Sequence, residues 1–221
     1  MRAWRRKGYA PRISKVSTPS APTRSKRLDT RERVLAGARR TFFERGYEGA
    51  SMADIAECAG VSKGTLYAHF ADKAALFAEV IRSECEAIRT RHFVFDPDVP
   101  LADALYQLGV GFLSAVLAED ARGIVRTLVG EAHRTPALGR IFMDAGPDQG
   151  AAALAALLDR AVDRGQLAIP DTRLAARQFI HLCDAGLSQD AHMGEPLPSH
   201  ARIEAQVRGA VRLFLRGYAA D

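Results

Sequence analysis

The sequence predicts an all-α fold, with an N-terminal three-helix unit that contains a helix-turn-helix and a larger C-terminal helical domain. Apolar residues recur at the three- and four-residue spacing of helices from residue 30 onward. No stretch shows the strict alternation of apolar and polar residues that marks a half-buried strand. Residues 51–73 hold two sets of helix start signals with a glycine between them, which is typical of two short helices joined by a tight turn. A chain of 221 residues can bury a substantial core in one or two domains.

Positive charge is concentrated in residues 1–28. The chain carries 31 Lys and Arg against 26 Asp and Glu. Nine of the basic residues and none of the acidic ones lie in residues 1–28, so the rest has 22 basic against 26 acidic residues and a net charge of −4. The segment lacks periodicity, and we predict a disordered basic arm. Arg24, Lys26 and Arg27 are candidates to contact DNA phosphates or reach a minor groove, although a basic tail can also serve only solvation.

The cysteines and the hydropathy indicate a cytoplasmic protein. Cys58, Cys85 and Cys183 are far apart and odd in number, which favours reduced thiols over a disulfide framework or a zinc site. No apolar run approaches the roughly 18 residues of a membrane span, so we expect no membrane association. Arg5 and Arg6 are not followed by the apolar segment of an export signal.

The first helix is predicted over residues 30–45. Gly46 follows directly and is a typical residue just beyond a helix C-terminus. The apolar stripe of this helix is a candidate core face: Val34, Leu35, Ala38, Phe42 and Phe43.

Two short helices are predicted within residues 51–73. Ser51 is a good N-cap, and Asp54 three residues later completes a capping-box pattern. Gly60 supplies the turn, and Ser62 can cap the helix that follows.

The second short helix has the surface that a recognition helix needs. Leu66 faces inward, and Phe70 continues its buried stripe one turn later. The opposite side carries small residues flanked by polar ones: Gly64, Ala68, Thr65 and Tyr67. Such a side can approach a major groove closely, whereas an ordinary surface helix would more often carry Glu, Lys or Gln there.

Asp72 is predicted to cap a fourth helix over residues 73–91. Its N-terminal amides and Lys73 form a candidate phosphate site. The helix leads directly into the rest of the chain, so it is the expected connection between the two parts. Its inner face is Leu76, Phe77, Val80, Ile81 and Ile88.

Proline and glycine residues divide the remaining chain into further helices. Four of these are predicted at residues 101–116, 138–143, 148–164 and 200–218. A helix between the first two has the apolar residues Ile124, Val125, Leu128 and Val129. Another begins at the N-cap Asp171, and its stripe is Ala175, Phe179, Leu182 and Gly186.

Residues 31–77 resemble the DNA-binding domain of the tetracycline-repressor (TetR) family of bacterial regulators. The resemblance rests on three successive motifs: Phe-Phe-x-x-x-Gly-Tyr, Ser-Met-x-x-Ile-Ala, and Gly-Val-Ser-x-Gly-Thr-Leu-Tyr-x-His-Phe-x-x-Lys-x-x-Leu-Phe. After the basic arm at residues 1–28, it implies a helix-turn-helix DNA-binding domain at 29–74 and a helical ligand-binding and dimerisation domain at 75–221.

The resemblance also implies roles in DNA binding. Five residues match family positions that grip phosphates: Ser51, Ser62, Tyr67, His69 and Lys73. Four others lie where base edges are read: Lys63, Gly64, Thr65 and Ala68. Many relatives carry a larger side chain at the last of these positions. An alanine there offers only apolar contact, so Lys63 and Thr65 would carry more of the reading.

For the C-terminal part, the resemblance implies a homodimer and a small-molecule pocket. The dimer would form through the last two long helices, which begin near residues 171 and 200, although both apolar stripes are equally compatible with an intramolecular core. Candidate pocket residues, each of which could also be plain core or surface, are Phe112, His133, Phe142, Met143, Phe179 and His181. No cofactor or metal is expected, because His181, Cys183 and Asp184 do not share one helical face.

The function that the resemblance implies is ligand-responsive transcriptional regulation, which in this family is most often repression, by a homodimer on a palindromic double-stranded DNA operator. A DNA-bound regulator or architectural protein without small-molecule control is the alternative. Gly60 to Gly64 formally match the nucleophile elbow Gly-x-Ser-x-Gly of hydrolases. That motif requires a strand before its serine, and a helix is predicted there, so we do not expect an enzyme.

Removing residues 1–23 tests the basic arm. If the arm follows phosphates, the truncated protein should bind DNA less tightly, and the logarithm of its binding constant should fall less steeply with the logarithm of salt concentration. Titration of one DNA fragment at several salt concentrations measures both quantities, with the full chain as control. An unchanged salt slope would rule the arm out as a phosphate contact.

Overall fold

The described part of the chain is built from α-helices. The computed structural model describes residues 30–96 and 98–220, so the predicted basic arm lies outside the described residues. Within them, the one extended pairing is an isolated antiparallel bridge between Leu167 and Ala219. The predicted all-α fold is confirmed.

Eleven helices follow one another through these residues. They are α1 (Thr30–Gly49), α2 (Met52–Ala59), α3 (Lys63–His69), α4 (Lys73–His92), α5 (Leu101–Val116), α6 (Glu119–Ala132), α7 (Pro136–Ala145), α8 (Pro147–Asp163), α9 (Thr172–Asp184), α10 (Leu187–His192) and α11 (His200–Gly217). All but α10 correspond to a predicted helix.

Two predicted features at helix ends differ in detail. Gly46 has a φ of 69° and breaks the helical geometry as predicted, but helical turns resume beyond it as far as Gly49. Phe70 is the residue after α3 rather than part of it, with a φ of −139°. Its side chain is nevertheless buried, as predicted.

The first of two hydrophobic cores joins α1–α4 to α6 and α7. The rings of Phe42 and Phe77 lie at its centre, with their centroids 4.8 Å apart. Further buried members from the first four helices are Val34, Ile55, Leu66, Leu76 and Ile81, and those from α6 and α7 are Ile124, Leu128 and Leu138. The domain boundary predicted after residue 74 therefore lies inside one continuous core.

The second core is formed by α5, α8, α9 and α11. The rings of Phe179 and Phe214 meet edge to face, with centroids 5.1 Å apart. Leu105, Leu158 and Val207 are fully buried beside them. The predicted inward faces of the C-terminal helices are thus largely correct.

Helix α4 belongs to both cores. Residues from Leu76 to Cys85 lie in the first core, and Ile88 packs against the second. At its C-terminal end, His92 lies directly on Gly111 of α5, where an added Cβ would be 2.3 Å from the imidazole Nδ1. Both ends of the predicted connecting helix are therefore held by packing.

Two predicted apolar faces differ in detail from the structure. Val129 is 63% exposed, because α6 turns that face away from the first core. Leu182 is exposed on the outer side of α9, so it is not part of the intramolecular core, which is one of the two predicted places for its stripe. The predicted stripe does not continue to Gly186, because Ala185 has a φ of 39° and ends α9. The short α10 begins after this break.

No single helix among the described residues is long and apolar enough to cross a membrane. Only the pair of α5 and α6, taken together with a bend of 66° between them, satisfies the length and composition of a span.

Gly123 and Gly109 are further glycines at which two helices approach more closely than any other residue would allow. At Gly123 of α6, an added Cβ would lie 2.1 Å from the ring of Phe43, so α6 packs tightly on α1. At Gly109 of α5, it would lie 2.6 Å from Val207 and 3.0 Å from the Cys183 sulfur. The second core thus has no room for a methyl group at position 109.

Gly109→Ala should therefore lower the free energy of unfolding by about 1–3 kcal/mol, because the added methyl overpacks a well-filled core. Gly130→Ala is the matched control: position 130 is also within a helix, and nothing lies within 4 Å of an added Cβ. The control should gain roughly 0.5–1 kcal/mol from helix propensity. Urea unfolding of both variants measures the difference, and a Gly109→Ala variant as stable as Gly130→Ala would contradict the close packing.

Candidate nucleic-acid interface

Helix α2 begins with a complete capping box. The Asp54 amide donates to Ser51 Oγ at 3.2 Å, and the Ser51 amide donates to Asp54 Oδ2 at 3.1 Å. The Ser51 hydroxyl also donates to the Asp54 carboxylate, and this bond, followed by the one from the Ser51 amide and by Arg45 at 2.8 Å from the carboxylate, holds the pKa of Asp54 below its ordinary value. The predicted capping pattern is confirmed, and it fixes where α2 starts.

The end of α2 is held by contacts that the sequence did not indicate. Gly60 has a φ of 64° and makes the predicted turn. Arg33 of α1 donates from its guanidinium to the carbonyl oxygens of Ala59, at 3.0 Å, and Gly60. Gly37 of α1 packs directly against the backbone of Ala59, because an added Cβ at position 37 would lie 2.8 Å from the Ala59 nitrogen. Helix α1 therefore both packs against the C-terminal end of α2 and satisfies its free carbonyl groups.

Helix α3 is capped and anchored as predicted. The Thr65 amide donates to Ser62 Oγ at 3.0 Å, and the two side-chain hydroxyl groups are 2.8 Å apart. Leu66 is fully buried, and the Phe70 amide donates to the Leu66 carbonyl at 3.0 Å. Helix α3 thus packs against the first core along one side only, through Leu66.

The free side of α3 carries most of the residues that we expect to contact DNA. Exposed residues on α3 and at its cap are Ser62, Lys63, Gly64, Tyr67, Ala68 and His69. Thr65 is half-buried, and its hydroxyl is already bonded to Ser62. Lys63 has no hydrogen-bonding or ion-pair partner among the described side chains, so its charge is available to a ligand. Ser51 is exposed at the start of α2, outside α3.

Lys73, the remaining candidate, is half-buried at the start of α4. Its ammonium donates to the Tyr47 carbonyl oxygen at 2.8 Å and lies 4.3 Å from the centroid of the Tyr47 ring. Burial, and then the negative charge of Glu131, raise the pKa of the Tyr47 phenol above its ordinary value. The phenol is therefore neutral at neutral pH. This contact could not be predicted from local sequence patterns, because the partners are 26 residues apart.

Most arginines of α1 are engaged within the protein. Arg39 is 3.0 Å from the Glu84 carboxylate, and Arg31 pairs with Glu79. Arg40 donates to the Cys58 sulfur from Nε at 3.0 Å and from Nη2 at 2.8 Å, which raises the pKa of the guanidinium. These arginines attach α1 to α2 and α4.

The cysteines are free, and all three lie among the described residues. Burial raises the pKa of Cys85 to about 11 and that of Cys183 to about 12. Both thiols are therefore protonated at neutral pH and are poor nucleophiles. Ser62 of the Gly-x-Ser-x-Gly pattern follows α2 and its glycine turn, so the pattern lies within the helix-turn-helix and not at a strand end.

The six candidate pocket residues are distributed over the two cores and the surface. Phe112 and Phe179 pack in the second core, and Phe142 packs against the first. Met143, His133 and His181 are exposed. The spacing of apolar residues identified helical faces, but the neighbour of each face is decided by how the helices pack.

An exposed apolar surface runs along α9 and α11. Leu174, Leu182 and Leu213 are 53%, 36% and 64% exposed. They line an open groove of about 760 Å³ with His181 and Tyr218. Exposed leucines on adjacent helices are typical of a surface that another protein chain covers.

The sequence matches the models of two protein-family domains. The model described as "AefR-like transcriptional repressor, C-terminal domain" matches residues 103–220. The model described as "Bacterial regulatory proteins, tetR family" matches residues 34–80.

Individual relatives match over different lengths. The repressor AcnR of Corynebacterium efficiens is 42% identical over 65 residues, which is 29% of this chain and 35% of AcnR. The repressor BepR of Brucella suis is 32% identical over 112 residues, which is 49% of this chain and 53% of BepR. The chain thus spans about a third to a half of the length of these curated relatives.

Solved structures match over most of the chain. One, from Mesorhizobium loti and assigned to the TetR-family transcriptional regulators, has a TM-score of 0.79 at 27% identity, covering 86% of this chain and 97% of that one. The flavonoid-responsive regulator FrrA has a TM-score of 0.75 at 32% identity, with the same coverage of 86% and 97%.

Proposed function

This chain belongs to the TetR family of bacterial transcriptional regulators, and we propose that it is a repressor that binds a palindromic operator as a homodimer and is released by a small molecule. The observation that carries the proposal is the free side of α3, which is exposed along its length while its other side is anchored in the first core. A helix presented in this way can enter a major groove.

Contacts to phosphates would set the position of the protein on DNA, and contacts to bases would set the sequence that it prefers. We assign the phosphate contacts to Ser51, Ser62, Tyr67, His69 and Lys73. We assign the base contacts to Lys63, Gly64, Thr65 and Ala68. The exposed ammonium of Lys63 suits the acceptors of guanine, and the methyl groups of Thr65 and Ala68 suit a thymine methyl.

A homodimer would form through α9 and α11. The exposed leucines of these helices form an apolar surface that a second copy can cover by two-fold symmetry. One α3 helix reads only a few base pairs. Two copies about 34 Å apart would read two half-sites in successive turns of the duplex.

Release by a small molecule is supported by the position of a cavity at the end of α4. The cavity has a volume of about 210 Å³, and its lining includes Arg91, His92, Phe95, Gln107 and Leu108. Burial lowers the pKa of His92, so the imidazole is neutral at neutral pH and can accept or donate a hydrogen bond. A ligand here would act on α4, which reaches from this cavity into the first core. The relative FrrA is described as flavonoid-responsive, and the response that we propose here is of the same general kind.

A footprint on the DNA that flanks the gene tests operator binding. The purified protein should protect a palindrome in the presence of nonspecific competitor, and protection should weaken steeply with salt.

Tyr67→Ala should weaken binding to all sites alike, because it removes a phosphate contact, whereas Thr65→Ala should change the preference among bases. Equal losses for Thr65→Ala on matched and mismatched operators would contradict the assignment.

A screen for small molecules that release the protein from the same DNA fragment separates a ligand-controlled repressor from a regulator without small-molecule control.

Leu213→Glu tests the dimer. A buried charge in the interface should cost about 2 kcal/mol or more, which is roughly 30-fold in dimer affinity, and operator binding should fall with it. Leu197→Glu is the matched control, because Leu197 is 50% exposed but does not line the groove between α9 and α11. Sedimentation velocity at one protein concentration measures the fraction of dimer. A Leu213→Glu variant that is as dimeric as the control would exclude this face.

A further inference from the structure

Tyr47 is the residue that fixes the end of the Lys73 side chain. The Lys73 ammonium is 2.8 Å from the Tyr47 carbonyl oxygen and 4.3 Å from the centroid of the Tyr47 ring. A lysine side chain otherwise has many rotamers, and restricting them costs conformational entropy. In this protein much of that restriction exists before any ligand binds.

Tyr47 is itself held in place. Its ring stacks on Phe42 with centroids 5.9 Å apart and contacts Phe77 with centroids 5.2 Å apart. Both phenylalanines are fully buried in the first core. The ring and the carbonyl group of Tyr47 therefore form a rigid support for the ammonium.

The support leaves the ammonium able to bind an anion. An ammonium has three donors, and the Tyr47 carbonyl takes one of them. Lys73 is the first residue of α4, where the Asp72 carboxylate already accepts from the Ala75 amide at 2.7 Å, so the group that can bind a further anion at this helix end is the ammonium. No carboxylate pairs with Lys73 among the described residues, so its charge is not neutralised within them.

We propose that Tyr47 is a positioning residue for operator binding, which holds the Lys73 ammonium in place for a backbone phosphate at the start of α4. The inference rests on the proposed function, since it requires Lys73 to contact DNA. It adds Tyr47, which would act on the operator only through Lys73. The ring acts through its face and its packing, so the hydroxyl group is dispensable.

Four variants test the proposal by the salt dependence of operator binding. Lys73→Gln should lower the slope of log binding constant against log salt concentration by about 0.9, the value for one lost phosphate contact. Tyr47→Leu removes the ring and should lower the slope toward that of Lys73→Gln, with a loss of affinity of about three- to thirtyfold. Tyr47→Phe keeps the ring and should match the wild type. Tyr47→Leu combined with Lys73→Gln should bind no more weakly than Lys73→Gln alone.

The double variant separates positioning from general damage to the fold. If Tyr47→Leu only disturbed the first core, it would cause the same further loss with or without Lys73, and its salt slope would remain that of the wild type. Either result would overturn the inference and leave the proposed function intact. An unchanged slope in Lys73→Gln would show that Lys73 does not contact a phosphate, which also overturns the inference. A wild-type protein that binds no operator would instead overturn the proposed function.

Discussion

The close packing of α2 on α1 is the constraint on which the DNA-facing surface depends. Helix α3 has seven residues, too few to be stable or to hold a direction by itself. Its orientation is set by the turn at Gly60. That turn is held in place because Gly37 lets Ala59 pack directly against α1 and because Arg33 donates to the carbonyl groups at the end of α2. A side chain at position 37 would push α2 outward and carry α3 with it.

The cores explain why the two predicted domains are mechanically connected. The first core contains residues of α6 and α7 as well as of the helix-turn-helix, and Gly123 brings α6 directly onto Phe43 of α1. Helix α4 then continues into the second core. A rearrangement of the C-terminal helices can therefore reach α1 through α6 as well as through α4. Packed cores tend to shift between discrete arrangements rather than deform smoothly, which is a suitable basis for a two-state regulator.

Polar contacts distinguish surfaces whose charged side chains have partners within the protein from surfaces whose charged side chains are available to a ligand. Arg31, Arg39 and Arg40 of α1 have partners within the protein, whereas Lys63, on the exposed side of α3, has no hydrogen-bonding or ion-pair partner among residues 30–96 and 98–220. Apolar groups show the same division on the opposite part of the molecule. Phe179 and Phe214 fill the second core, while Leu174 and Leu213 on the same two helices face outward.

The sequence by itself determined the helices other than α10, the caps of α2 and α3, and the exposed side of α3. Those features depend on residues within a few positions of one another: Ser51 with Asp54, Ser62 with Thr65, and the spacing of Leu66 and Phe70. Only the tertiary structure decided which faces meet. The Arg33 contact with α2, the Lys73 contact with Tyr47 and the dispersal of the candidate pocket residues all depend on partners far apart in the chain. Local spacing gives the direction of each face along its own helix, but the crossing angles and close approaches at residues such as Gly37 and Gly123 decide what that face contacts.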